Sequence, residues 1–229
     1  MDANAEAKPP DEAVLVRLLL VMTVVTGAVD AVSVLQLDHV FVGNMTGNVV
    51  FLGFAIAGAK GFSVAASLVA LGAFLVGAAI VGRHFPMLEG RKRQGLGQMA
   101  AAEAVLLAAA TAVAAITNGT AARYAMTLIL AVAMGGQNAF ARRLAVPNLT
   151  TTVLTLTLSS LAEDPWDLDR PDSRVRRGLA SVAAMLVGAA LGALLVLRAS
   201  TGWTLGATTG VLAAVAMAAL LPRHRIGAN

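Results

Sequence analysis

Between Val14 and Leu221 the chain is a succession of apolar stretches broken by short polar or basic connections. Six of these stretches, 14–37, 63–83, 97–118, 121–143, 177–198 and 202–221, reach the roughly 17–25 residues that a membrane-crossing helix needs. Two others, 40–58 and 147–162, are shorter or more polar, and each follows a neighbouring stretch after a tight connection. The pattern predicts an all-α integral membrane protein. The open point is whether the two lesser stretches also cross.

Lys and Arg positions discriminate between the possibilities, because basic residues accumulate on the cytoplasmic side of membrane helices. If 40–58 and 147–162 each enter and leave on one side, Lys60, Arg123 and Arg198 lie on one face and the remaining basic residues on the other. Letting either or both stretches cross spreads the same residues more evenly. The expected fold is therefore six transmembrane helices plus two re-entrant or half-membrane segments, with both termini cytoplasmic. A seven-span chain in which 40–58 crosses is the alternative.

Internal similarity adds to this. GAVDAV at 27–32 aligns with GGQNAF at 135–140, which sets Asp30 opposite Asn138. GNMTGN then sets Thr46 opposite Thr155 of TVLTLT, and FLVGAA at 74–79 aligns with MLVGAA at 185–190. Each half would be helix, re-entrant segment, helix, helix. With an odd number of crossings per half, the second copy is inverted relative to the first, a transporter and channel design with its site at the repeat interface. The expected organisation is a disordered tail at 1–13, a first membrane repeat at 14–118, a second at 119–222 and a short tail at 223–229.

Composition narrows the function classes. Of 229 residues 58% are hydrophobic and 13% charged, against about 25% charged in an ordinary soluble domain. The Ala- and Arg-rich, Lys-poor usage is that of a bacterial chain, which points to the inner membrane. There is no cysteine, so disulfides, thiolate metal sites and cysteine nucleophiles are excluded. His39, His84 and His224 are scattered at span ends and read as interfacial residues, and no metal site is expected. The net charge of +4 comes from arginines flanking spans, and implies no nucleic-acid partner. No HExxH, GxSxG or phosphate-binding glycine loop is present, so neither an enzyme nor any cofactor is expected.

The polar residues inside apolar stretches are the candidate chemistry. A charge at Asp30 costs at least roughly 2.5–3.5 kcal/mol inside a bilayer, so it should meet a partner or a water-filled cavity. It reads either as a proton or cation relay or as a tie between the first helix and GNMTGN. In that motif, Asn44 and Asn48 would share one face of a helix with Thr46 on another, whereas an extended segment would align all three. Gly43 and Gly47 would permit an opened backbone, or would form a GxxxG packing pair. Gln137 and Asn138, with Thr152 and Thr155 of the Thr-rich stretch, would complete a solute or ion pathway from the second half. Glu103 and Arg123 read as interfacial anchors or as a functional pair. GxxxG at Gly188 and Gly192, and the run Gly202, Gly206, Gly210, read as close helix contacts within or between subunits.

Taken together, GAVDAV, VFVGNMTGNVV, GGQNAF and TTTVLTLT give the chain its likeness: it resembles the YoaK family of bacterial multi-pass membrane proteins across nearly its whole length. The family's first signature, an Asp in a glycine-containing first helix followed by a TGN motif, is matched by Asp30, Thr46, Gly47 and Asn48. Its second, Gly-Gln-Asn followed by a Thr-Gly pair, is matched by Gly136, Gln137, Asn138 and Thr155, but Leu156 stands where the glycine would be. The resemblance implies the membrane fold and carries no activity. The expectation is a transporter or channel for a small polar solute or ion, with proton coupling through Asp30 and assembly as a homodimer. The alternative is a scaffold or sensor whose polar motifs only tie helices together.

Overall fold

The computed structural model describes residues 10–84, 92–144 and 174–221. They form α1 (Pro10–Gln36), α2 (Met45–Ile56), α3 (Val64–His84), α4 (Lys92–Ile116), α5 (Thr120–Leu144), α6 (Arg174–Arg198) and α7 (Thr201–Leu220). Among the described residues six helices, all but α2, are long and apolar enough to cross a membrane. The twelve residues of α2 reach about 18 Å, well short of the roughly 30 Å hydrocarbon core. The stretch 147–162 lies outside the described residues.

Helix ends fall within about four residues of the hydropathy pattern except at two starts, that of α2, which begins at Met45 rather than near 40, and that of α4. The apolar run suggests a start near residue 97, but the helix begins at Lys92. Its basic first turn is helical because its charges have work at neighbouring helix ends. The Lys92 ammonium donates to the Leu144 carbonyl of α5 at 3.3 Å, and Arg93 Nη2 donates to Ala218 and Leu221 carbonyls at 2.6 and 3.1 Å. The last carbonyls of a helix lack intrahelical donors, so cations are favourable there.

The same contacts fix helix directions. The start of α4 meets the ends of α5 and α7, and Arg143 near the end of α5 donates to the Gly82 carbonyl near the end of α3. At the opposite end of the bundle Arg123, opening α5, pairs with Asp38 just past α1. The start of α1 and the end of α7 therefore lie at one end of the bundle. The core runs along α1, whose Leu15, Leu19, Met22, Val25, Val29 and Val32 are all buried. Leu75, Val105, Leu186 and Trp203 point outward, an ordinary arrangement for helices solvated by lipid.

Two helix crossings depend on glycine. A Cβ on Gly27 would overlap the Met185 carbonyl oxygen, one on Gly188 the Val24 carbonyl oxygen, and one on Gly192 would meet Ala28, so α1 and α6 touch backbone to backbone. A Cβ on Gly135 would overlap the Phe74 carbonyl oxygen, and one on Gly77 the Val132 carbonyl oxygen, so α3 and α5 do the same. The Gly202, Gly206, Gly210 run behaves differently. Gly206 finds only Thr111 Cγ2 at 3.8 Å and Gly210 finds nothing within 4 Å, because α7 turns Thr204, Leu205, Thr208 and Leu212 inward instead. That run makes no close contact within the described chain.

Candidate functional site

Between α1 and α2 the chain runs irregularly from Leu37 to Asn44. Irregular backbone at membrane depth is tolerated only where other groups satisfy its N–H and C=O. Asp38 and His39 turn the chain in the left-handed region, with φ of 59° and 55°, a conformation that Asp and His adopt more readily than most residues. The stretch then falls back against α1. There Asp30 Oδ1 accepts hydrogen bonds from the backbone N–H of Val42 at 3.0 Å and of Gly43 at 2.8 Å. Asn48, fully buried one turn into α2, clamps Phe41 on both sides: its Oδ1 accepts from Phe41 N at 2.7 Å and its Nδ2 donates to Phe41 O at 2.5 Å. Asn44 caps α2, its Oδ1 accepting from Gly47 N at 3.4 Å.

The glycines of GNMTGN are required by close approach. A Cβ on Gly47 would strike the Phe41 ring, and one on Gly43 would sit 3.0 Å from Thr26 Cγ2 and 3.2 Å from Asp30 Oδ2. Phe41, Phe51, Phe54 and Phe62 stack around this turn, with ring centroids 5.0 to 6.2 Å apart, and His39 packs on Phe62. The polar residues of the motif thus hold a short helix against the bundle. One atom is left over: Asp30 Oδ2 is buried and has no hydrogen-bond partner among the described residues.

A second polar group lies one turn back along α1. Thr26 Oγ1 donates to the Met22 carbonyl at 3.0 Å and lies 2.8 Å from the Gln137 side-chain amide. The other end of that amide lies 2.6 and 2.8 Å from the two carboxyl oxygens of Glu103. Glu103 is completely buried, midway along α4. This line joins α4, α5 and α1, and ends at the residue whose methyl group, together with the Asp30 carboxyl, walls the space beside Gly43.

Of the residues expected at the site, Asp30, Asn44 and Asn48 meet around the α1–α2 turn, and Gln137 reaches them through Thr26. Thr46 is exposed in the first turn of α2, the helical alternative for this motif. Asn138 is half-buried beside Gln137, and its side chain has no hydrogen-bond partner among the described residues. Thr152 and Thr155 lie outside the described residues. Glu103 and Arg123 do not pair: Arg123 takes Asp38 and Glu103 takes Gln137. Sequence reasoning missed Thr26 and placed Glu103 near a span end. Extending α4 to its basic start puts Glu103 at mid-helix, and a carboxylate there is the signal.

At the α1-end face, a polar cavity of about 350 Å³ opens among α1, α4, α5 and α7, lined by Gln36, Thr117, Asn118, Arg123 and Thr201 together with apolar side chains. The described chain therefore combines a polar mouth, a buried carboxylate with one free oxygen and a buried polar line, all within an apolar helical bundle.

Comparison with known proteins agrees with this architecture. The family described as "Protein of unknown function (DUF1275)" matches residues 18–218. The UPF0700 transmembrane protein YoaK of Bacillus subtilis (strain 168) is 33% identical over 151 residues, covering 64% of this chain and 65% of YoaK, just under two thirds of that relative's length. No solved structure matches. With six described helices long and apolar enough to cross a membrane and a likeness to the transmembrane protein YoaK, the chain is a multi-pass membrane protein of the DUF1275 family.

Proposed function

We propose that the protein is a transporter or channel for a small polar solute or ion, coupled to protons through Asp30, and that it is not an enzyme. The observation that carries this reading is the Asp30 carboxyl itself. One oxygen holds the α1–α2 turn, while the other is buried and without a partner among the described residues. A buried carboxyl in a membrane helix with an unsatisfied oxygen is a ready acceptor for a proton or a polar ligand. The polar mouth around Gln36, Asn118 and Arg123 supports the reading as an entry vestibule.

Inverted repeats are part of the proposal. The contacts of Gly27 with Met185 and of Gly188 with Val24 recur, at aligned positions, as those of Gly135 with Phe74 and of Gly77 with Val132. The aligned helices α1 and α5 run antiparallel, since Thr26 faces Gln137 while Asp38 faces Arg123. In this scheme α2 is a half-membrane segment. Arg17, Arg83, Lys92, Arg93, Arg142 and Arg143 share the end that carries the start of α1, against Lys60, Arg123 and Arg198 at the other. That bias argues for cytoplasmic termini in a bacterial inner membrane. Six spans enclose little space, so the functional unit is a homodimer, with the open Gly206–Gly210 face available to the second copy.

A scaffold or sensor is the second reading, favoured by the clamp of Asn48 on Phe41 and by the two backbone bonds to Asp30, which tie helices without any ligand. Proteoliposomes loaded with a pH-sensitive dye separate the two. Under a proton gradient, a panel of small polar solutes should drive proton movement with the wild type and none with Asp30→Asn, at equal insertion and melting temperature. No proton movement with any solute or ion, joined to a lowered melting temperature only in Asp30→Leu, would leave the scaffold reading.

A further inference from the structure

Glu103 has no part in the reading above, yet it is the second fully buried carboxyl of the described chain and its only side-chain partner is an amide. The two protonation states of Glu103 favour opposite orientations of the Gln137 amide. An ionised carboxylate can only accept, so the Gln137 nitrogen must face it, donating over 2.6 and 2.8 Å. The Gln137 oxygen then accepts from the Thr26 hydroxyl at 2.8 Å. A protonated carboxyl instead donates to the Gln137 oxygen. The Gln137 nitrogen then donates to Thr26 Oγ1 at 2.8 Å, and the Thr26 hydroxyl turns to the Met22 carbonyl at 3.0 Å. An ionised carboxylate facing the Gln137 oxygen would set acceptor against acceptor in a buried place, and a protonated carboxyl facing the nitrogen would leave its own O–H without this partner.

We propose that Glu103 is a proton-binding site at the centre of the bundle, and that the Gln137 amide reverses when the proton binds, passing its occupancy to Thr26 on α1. The step is a simple protonation. Glu103 takes up one proton, the amide turns over, and the Thr26 hydroxyl exchanges one acceptor for another. Nothing else is consumed.

The surroundings hold neither state by charge. No Lys or Arg among the described residues forms an ion pair with Glu103. On α1, Arg17 is exposed and Asp30 lies one turn beyond Thr26. The ionisable residues of α5 (Arg123, Tyr124, Arg142 and Arg143) lie toward its two ends, and α7 carries none. On α4 itself Lys92 and Arg93 lie about 15 Å away along the helix. By turning over, the amide presents a donor to one state and an acceptor to the other. The inference is independent of transport, since a sensor could use the same site.

Infrared difference spectra of the intact protein in lipid, acid minus alkaline, test it. A protonated-carboxyl band should be present in acid and lost in alkali. It should vanish in Glu103→Gln, persist in Asp30→Asn, and shift in frequency in Gln137→Leu. With side-chain-labelled glutamine, the Gln137 carbonyl band should move between the two conditions, reporting the reversed amide. Should Glu103→Gln fail to fold, the Gln137→Leu shift alone decides. The proposal is overturned if Asp30→Asn leaves no titrating carboxyl band, or if the band that it leaves ignores Gln137→Leu or survives addition of Glu103→Gln.

Discussion

Arg123, in the first turn of α5, closes on Asp38 at 2.7 Å, two residues past the end of α1. Both side chains are partly exposed, so the pair is worth at most about 1 kcal/mol. Its significance is geometric: it ties α5 to the left-handed turn at Asp38 and His39 from which the chain folds back toward Asp30. With Thr26 against Gln137 further along, it makes α1 and α5 antiparallel neighbours.

That arrangement predicts sidedness. The chain has no cysteine, so any introduced thiol is unique. Lys60→Cys and Asn118→Cys should react with a membrane-impermeant thiol reagent from one side of the bilayer, and Lys92→Cys only from the other. Reaction of Lys60→Cys and Lys92→Cys from the same side would contradict the crossing of α3.

The glycine crossings predict a stability contrast. A Cβ at Gly77 or Gly188 overlaps a carbonyl oxygen of the facing helix, and backbone cannot swing aside as a side chain can. Gly77→Ala and Gly188→Ala should each lose about 1–3 kcal/mol, the usual cost of overpacking, seen as a lower melting temperature in detergent. Within one protomer Gly206→Ala, with Thr111 Cγ2 at 3.8 Å, should be neutral or slightly stabilising through helix propensity. Equal losses at all three positions would contradict the packing.

These positions also mark what was legible in the sequence. The six long helices follow from hydropathy because a span must be continuously apolar over a fixed length. GxxxG at Gly188 and Gly192 marks a close contact, whereas the Gly202, Gly206, Gly210 run makes none within the described chain. Spacing puts small residues on a common face but does not say which face meets a neighbour. Asp30 was legible as an intramembrane charge, and its backbone partners at Val42 and Gly43 were not, because they depend on how an irregular segment folds back. Thr26 was invisible because a threonine bonding to the carbonyl four residues earlier is ordinary in any membrane helix.

Asn48 should prove a stability residue. Asn48→Leu removes both bonds to Phe41 and leaves its partly buried N–H and C=O without these partners, a total cost of about 1–3 kcal/mol. Thr46→Ala, at an exposed site in the same turn, should leave the melting temperature unchanged. A neutral Asn48→Leu would mean that water, rather than Asn48, satisfies the Phe41 backbone.

Gly43 offers the sharpest probe of how the Asp30 carboxyl is seated. A methyl group there would sit 3.0 Å from Thr26 Cγ2 and 3.2 and 3.4 Å from the two Asp30 oxygens, tight enough that one neighbour must give by a few tenths of an ångström. The carboxyl is held by two backbone bonds at 3.0 and 2.8 Å, one of them to Gly43 itself, so yielding there weakens the turn. Gly43→Ala should therefore destabilise. Thr26→Ser deletes the Cγ2 methyl while keeping the hydroxyl that meets Gln137 and Met22, so it opens room on the other side of the new methyl group. The double variant should recover part of the loss, with a coupling of about 0.5–3 kcal/mol as expected for residues in direct contact. The measurement is a double-mutant cycle on unfolding in detergent. Simple additivity of the two changes would mean that Thr26 and Gly43 do not share the wall around Asp30.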